Sequence, residues 1–387
     1  MRDRFRWVVL ALCVLTNMLV VASQLAVASP SVPILMTVFG ISSAVAGLIT
    51  SVWAVSRVIV SIPAGAIAMR LGTRSALAVG VLISVAGWAL SSSAPDFLSV
   101  LLSRFIMGFG SGTIATVAPV TISEWFSRGE LGTAMGFWAS SMTLGLVWEI
   151  PLSAWMISNW GWRQAYTVFM FASLLMVVPI LVILRRRPPY PLDPPSKLSW
   201  HEVLEPLKNH TFLKTCIAIF FGVGLWSVYS TYVVKWCMAK GYGYMEASLL
   251  GTVLNAGCIV SQILSGQIAD KMLKDGHKSL FIVGTTLTSI ATLAFTYTPP
   301  GPVTTVIVAA LGAGIAPILV TMFSIPISAA KPEQRSLAMG LAGSFIYAAY
   351  TLTSPVGYMY DVHGLTAASI LTATMGLTGA LIMRTSH

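Results

Sequence analysis

The sequence predicts an all-α membrane protein of twelve transmembrane helices in two pseudo-symmetric six-helix bundles. Three observations predict it: a composition too apolar for water, twelve apolar stretches of spanning length, and a set of motifs written twice. Of 387 residues, 56% are hydrophobic and only 9% are charged, and the mean hydropathy is +0.81. A soluble domain of this size needs more charge than that to keep its surface in water.

A hydrocarbon core about 30 Å thick takes about 20 apolar residues of helix per crossing. Such stretches fall at 7–29, 43–69, 75–94, 97–122, 133–157, 164–184, 211–235, 246–270, 279–297, 303–326, 336–359 and 365–384. They use most of the chain, so no sizeable soluble domain is expected. The first stretch follows Arg2, Arg4 and Arg6 as a signal peptide would. Its apolar run is longer than the ~7–15 residues of a cleaved leader, so an uncleaved first span is expected.

The formal net charge of +10 follows the membrane rather than a nucleic acid. Eighteen of the 23 basic residues fall in the N-terminus, the even-numbered loops and the C-terminus. They are Arg2, Arg4, Arg6, Arg70, Arg74, Arg128, Arg185, Arg186, Arg187, Lys197, Lys208, Lys214, Lys271, Lys274, Lys278, Lys331, Arg335 and Arg384. Three (Arg163, Lys235, Lys240) lie on the other side, and Arg57 and Arg104 lie inside spans. Positive charge collects on the cytoplasmic face, so both termini are expected in the cytoplasm and the chain in the plasma (inner) membrane. Membrane lipid is then its surroundings, and no nucleic-acid partner is expected.

The repeat is legible in the loops. Gly65-Ala-Ile-Ala-Met69-Arg70-Leu-Gly72-Thr-Arg74 stands between spans 2 and 3, and Gly266-Gln-Ile-Ala-Asp270-Lys271, followed by Gly276-His277-Lys278, stands between spans 8 and 9, offset by 201 residues. Ala134-Met135-Gly136 recurs as Ala338-Met339-Gly340, and Pro151 as Pro355, both offset by 204. Two six-helix halves of one design account for these matches. The expected organisation is a first bundle over 1–184, a cytoplasmic linker over 185–210 and a second bundle over 211–387. The linker is basic and proline-rich, hence stiff. Residues 198–207 after it read as a short surface helix with Trp200 at the interface.

The chain resembles the major facilitator superfamily over essentially its whole length. The Gly65–Arg74 and Gly266–Lys278 loops carry the likeness, with Arg104-Phe-Ile-Met-Gly108-Phe-Gly110-Ser-Gly112 in span 4, the two Ala-Met-Gly entries, and Trp160-Gly-Trp162-Arg163 opening span 6. The resemblance implies two bundles that rock about a central site and open alternately to each side of the membrane. It also implies a gating role for Gly65, Arg70, Gly72, Arg74, Gly266, Asp270, Lys271 and Gly276. One position departs from the pattern: Met69 stands where the family carries an acid, while Asp270 keeps it in the second loop. A carboxylate near a helix N-terminus is stabilised by the helix dipole, so Asp270 should bear more of the lock than the first loop does.

Charges inside spans are costly unless paired or hydrated, which makes Arg57, Arg104 and Glu149 the sharpest site candidates. Arg57 lies about 18 Å deep, close to the midplane, and marks a candidate site for an anionic substrate group. Arg104 and Glu149 sit at similar distances from the loop joining spans 4 and 5, with depths agreeing within about 3 Å. They are expected to pair, either as a fixed bridge or as a proton-coupling switch. Asn17 and Gln24 share one helical face in span 1, and Asn255 and Gln262 repeat that spacing in span 8. With Tyr229, Tyr232, Tyr347 and Tyr350 they form the candidate lining of a substrate cavity.

The four cysteines and five histidines show no metal or redox spacing, so no metal and no cofactor are expected. No phosphate-binding glycine loop with a lysine is present, which argues against an ATP-driven pump. The reading is a secondary transporter, monomeric, moving a small organic solute by alternating access, with an anion among the candidates and protons as the candidate coupling ion. A proton-coupled multidrug exporter is the alternative, although Gly145 is followed by Leu146 rather than by proline. A membrane-embedded sensor or enzyme would need clustered acids or histidines in the spans, or an appended domain, and the sequence has neither.

The charge asymmetry makes a direct prediction. A reporter fused after Arg187 or at His387 should be cytoplasmic, and one inserted near Thr298 external; an external signal after Arg187 overturns the topology.

Overall fold

The computed structural model describes residues 2–185, 188–189, 205–271, 276–329 and 335–386. The predicted surface helix with Trp200, and Arg186 and Arg187 of the linker, lie outside the described residues. Among the described residues the chain is helical, without strands. α1 runs over Arg4–Phe39, α2 over Leu48–Leu71, α3 over Thr73–Ser92, α4 over Phe97–Trp125 and α5 over Arg128–Trp160. α6 covers Trp162–Ile183, α7 His210–Ala239, α8 Tyr244–Lys271, α9 Gly276–Tyr297 and α10 Pro302–Ala329.

Ten segments among the described residues are long and apolar enough to cross a membrane. The last of them, Ala338–Arg384, has 47 residues, enough for two crossings. Gly364, at φ +77°, breaks it into α11 (335–363) and α12 (365–384). A backbone at that φ suits glycine and strains any residue with a Cβ. α5, with 33 residues, supplies a further crossing. The twelve-helix, multi-pass membrane architecture expected from the sequence is therefore present. Its turns are made by local chemistry. Asp96 caps α4 by accepting the Ser99 amide at 2.7 Å, and those hydrogen bonds hold its carboxyl below the usual carboxylate range. Asn209 caps α7 in the same way, from Thr211 at 2.9 Å.

The chain packs into two units, one of Met1–Val27 and Val52–Lys197, the other of Ala28–Ser51 and Leu198–His387. In the first, glycines in α4 set the helix spacing. A Cβ on Gly108 would collide with the Trp53 carbonyl and the Ser56 hydroxyl, and one on Gly112 would come 3.1 Å from the Arg57 Cα. Gly110, on another face of α4, meets the Gly80 carbonyl and Ser84 of α3 in the same way. One short motif thus seats α4 against two neighbours at backbone distance, where attraction is dispersion and steric fit rather than water exclusion. At the start of α1 the Arg6 fork meets Glu130 at 2.6 and 2.8 Å, and the Ser127 hydroxyl reaches the same carboxylate at 3.0 Å.

In the second unit, residues 28–51 are held by α7 and α11. Asp361 accepts the amides of Ser43 at 3.0 Å and Ala44 at 2.8 Å. Tyr232 donates to the Ser43 carbonyl at 2.7 Å, and Ser354 to the Ala44 carbonyl at 2.8 Å. Lys235 donates to the Ser43 hydroxyl and lies 3.9 Å over the Tyr360 ring. The segment is read from the sequence as part of the first half, yet the bonds of Ser43 and Ala44 are made within the second unit.

The glycine contact yields a prediction. Gly108→Leu should destabilise the folded protein by roughly 1–3 kcal/mol or more, because the collision is with backbone and cannot be relieved by a rotamer change. Thermal unfolding in detergent measures it, with Gly136→Leu, a position with nothing within 4 Å, as the neutral control.

Candidate functional site

The first unit holds a buried polar core, and α1 organises it. Residues Asn17–Ala22 form a π-helical turn. Such a turn inserts about one extra residue and rotates the rest of the helix by roughly 100° relative to a regular one. Asn17 and Gln24 therefore do not share the face that regular spacing predicts. Asn17 donates to the Ser141 hydroxyl of α5 at 2.7 Å. Gln24 turns instead to α2 and α4, as acceptor to Trp53 Nε1 at 2.7 Å and, through its main-chain oxygen, to Arg104 Nη1 at 2.6 Å.

Arg57 lies one helical turn beyond Trp53, the spacing that stacks side chains on one face. Its guanidinium carbon lies 4.5 Å from the centre of the Trp53 ring. Both residues are buried, at 4% and 3% exposure. Cation–π contact of this kind offsets part of the cost of removing the charge from water.

Arg104 is equally buried, at 1% exposure. Besides Gln24 it reaches the Tyr166 hydroxyl at 3.4 Å, and its guanidinium lies 5.6 Å from the Tyr166 ring and 5.7 Å from the Trp88 ring. The expected pairing with Glu149 is not formed. Glu149 is fully buried, and both its carboxyl oxygens lack a hydrogen-bond partner in the structure. One oxygen lies 3.3 Å from where a Gly145 Cβ would stand, and that same point is 2.6 Å from the Ala22 methyl of the π turn. Equal distance from the α4–α5 loop does not by itself put the two charges on one face. Arg104 donates to α1 and α6, whereas Glu149 faces the flank of α1.

In the second unit the candidate tyrosines are buried and bonded. Tyr229 donates to Thr292 at 2.9 Å, and Tyr232 to the Ser43 carbonyl at 2.7 Å. Tyr350 packs edge-on against Trp226, with ring centres 5.9 Å apart. Asn255 donates to the Gly251 carbonyl of its own helix at 2.8 Å. Gln262 and Tyr347 are half-buried. Tyr229 and Tyr232 thus make contacts that tie α7 to its neighbours, whereas Asn255 bonds within its own helix.

Of the loop residues, Arg70 and Gly72 are exposed and Arg74 is half-buried; Gly72, at φ +78°, makes the turn from α2 into α3. Gly65 is within α2. Gly266, Asp270 and Lys271 end α8 and Gly276 opens α9; the side chains of Asp270 and Lys271 lie outside the described residues.

Sequence reading missed Trp53, Trp88 and Tyr166, the aromatic partners of the two arginines. Two were legible. Trp53 is one turn from Arg57. Trp88 and Arg104 flank Asp96 at equal distances of eight residues across the α3–α4 connection, hence at equal depth. Tyr166 had no such signal.

The absence of a bridge is testable by stability. Arg104→Gln should cost roughly 1.5–3 kcal/mol through its charge-assisted bond to Gln24. Glu149→Gln should leave the melting temperature unchanged or raise it, since it removes a buried carboxyl with no partner, and the two effects should add. A strong positive coupling between them would restore the ion pair.

Comparison with known proteins agrees with this architecture. The Major Facilitator Superfamily model matches residues 10–275 and 246–385. The chain is 24% identical over 385 residues to the D-galactonate transporter of Escherichia coli O6:H1, covering 89% of this chain and 86% of the relative. It is 24% identical over 326 residues to an agnestins efflux protein of Paecilomyces divaricatus, covering 81% of this chain and 71% of the relative. Its fold matches a crystal structure of a bacterial homolog of the human lysosomal transporter Spinster, inward-facing and occupied, with a TM-score of 0.83 at 16% identity, over 99% of this chain and 97% of that one. With the family match running almost from end to end over a twice-written six-helix design, the chain belongs to the Major Facilitator Superfamily and is a transporter of small solutes.

Proposed function

We propose that this protein moves a small organic anion across the plasma membrane, coupled to protons, with both termini in the cytoplasm, as a monomer and without covalent chemistry. The observation that carries the reading is Arg57, a buried guanidinium in the middle of α2 stacked on Trp53. A permanent charge so placed is expensive in a membrane protein and marks a substrate or ion path. The likeness to a D-galactonate transporter supports an anion as cargo.

Glu149 is the proposed proton carrier. An ionised carboxyl without hydrogen-bond partners costs several kcal/mol in such surroundings unless a cation approaches it. Arg104, at the same level, is the cation that can approach, so the pair forms and parts during the cycle rather than standing as a fixed bridge. The two halves, 1–184 and 211–387 with the linker 185–210 between them, alternate access, and the paired loops Gly65–Arg74 and Gly266–Gly276 act as gates. Asp270 carries the larger share of that gating because Met69 cannot.

A second reading, export of apolar compounds, is favoured by one observation in the second unit. A cavity of about 330 Å³ is lined by Ile217, Phe220, Phe221, Phe345 and Ala348, with no polar residue. The likeness to an agnestins efflux protein supports export as the direction.

Reconstituted vesicles under an imposed pH gradient, offered organic acids, neutral sugars and lipophilic dyes, separate the two. Accumulation of an organic acid is expected. Arg57→Lys should weaken its binding by about 1–3 kcal/mol, because lysine keeps the charge but not the bidentate fork. Glu149→Gln should abolish pH-driven accumulation while leaving exchange between equal pools largely intact. Transport of dyes alone would replace the anion reading with the exporter.

A further inference from the structure

Arg57 is one of a chain of contacts that begins in α1. Gln24 Oε1 accepts the indole N–H of Trp53 at 2.7 Å, and the face of that indole lies 4.5 Å from the Arg57 guanidinium carbon. Gln24 is 1% exposed, Trp53 3% and Arg57 4%. A tryptophan in a core can turn about two side-chain torsions; one whose N–H is bonded to a neighbouring helix is held in a single orientation. α2 is itself pressed on α4 at this level, where a Cβ on Gly112 would come 3.1 Å from the Arg57 Cα. Backbone and ring are thus both held, and the guanidinium carbon sits over an indole whose N–H is tied to α1.

A guanidinium lying on an indole engages it through its face and donates through its edge. The edge presents paired N–H groups whose spacing matches the two oxygens of a carboxylate.

We propose that Trp53, locked by Gln24, is the positioning residue that turns Arg57 into a carboxylate-selective site, with Gln24 acting through Trp53 rather than on the solute. This rests on the anion reading, and it adds the class of anion and two residues that set it. Gln24 holds Arg104 as well, through its main-chain oxygen at 2.6 Å, a contact that side-chain substitution at Gln24 leaves in place.

The test is binding by the purified full-length protein in detergent, read as thermal stabilisation at constant ionic strength. The probes are a panel of monocarboxylates that includes D-galactonate, the matched neutral sugars, and sulfate. The variants are Arg57→Lys, Trp53→Phe, Trp53→Leu, Gln24→Met and the double variant Trp53→Phe with Gln24→Met. Trp53→Phe keeps a flat ring but lacks the N–H; Gln24→Met keeps the shape but lacks the acceptor. Each should weaken carboxylate binding about threefold to tenfold, and Trp53→Leu by more, since the ring is lost too. The double variant should be no weaker than either single one, because both break the same contact. The preference for carboxylate over sulfate should shrink in step, a change that loss of stability alone does not produce. The melting temperature of each unliganded variant reports folding, and Trp53→Phe serves as the mild variant if Trp53→Leu fails to fold.

Carboxylate binding that falls in Arg57→Lys but is unchanged in Trp53→Phe and Gln24→Met overturns the positioning role alone. Additive losses in the double variant overturn the link through Gln24. Failure of every anion to bind the wild type, or binding unaffected by Arg57→Lys, overturns the anion reading and the proposal with it.

Discussion

Inside the hydrocarbon layer no water is at hand, so a charged side chain must find its partners within the protein. In the first unit that requirement converges on Gln24. Its main-chain oxygen receives Arg104 and its side-chain oxygen receives Trp53, on which Arg57 rests. Both buried arginines of the spans are therefore tied, directly or through one ring, to a single residue of α1. The π turn at Asn17–Ala22 makes this possible by swinging Gln24 away from the face that Asn17 occupies. π turns cost hydrogen-bond geometry and recur at functional positions for this kind of reason.

Close helix approach is the second condition. Lipid gives no hydrophobic drive between helices, so contact has to come from fit, and fit at backbone distance needs glycine. Gly108 and Gly112 admit α2, and Gly110 admits α3. This brings Trp53 and Arg57 within reach of α1, and Trp88 within reach of Arg104. The charges and the small residues of span 4 are thus parts of one device, the glycines setting the distances at which the arginines meet Trp53, Trp88 and Gln24.

Glu149 stands apart from this economy. Its two oxygens are buried without hydrogen-bond partners, in a helix that carries Pro151 two residues later. A group that a fold leaves unsatisfied in one arrangement is a natural place for a change of protonation or of partner. In a family of solute transporters, that gives the coupling proposal its physical content. The gradient would be used where the protein's own hydrogen bonding is incomplete.

Much was decided by the sequence alone. Hydropathy and span length impose a multi-pass helical membrane protein, because only helices satisfy a single backbone segment in lipid. The duplicated loops and Ala-Met-Gly entries impose two halves, since an offset repeat is independent of how the chain packs. The identity of the three buried charges is equally plain, for any ionisable residue stands out in an apolar span. Partners were another matter. Depth can be counted along a helix, but the direction a side chain faces depends on helix rotation, and one π turn was enough to separate Asn17 from Gln24. A count of residues from the loop likewise pairs Arg104 with Glu149, while tertiary packing gave it to Gln24 and Tyr166. The placement of residues 28–51 with the second unit came from Asp361, Tyr232 and Ser354, more than 180 residues away in sequence. Contacts at such separation leave no local periodicity to read, so only the folded chain could supply them.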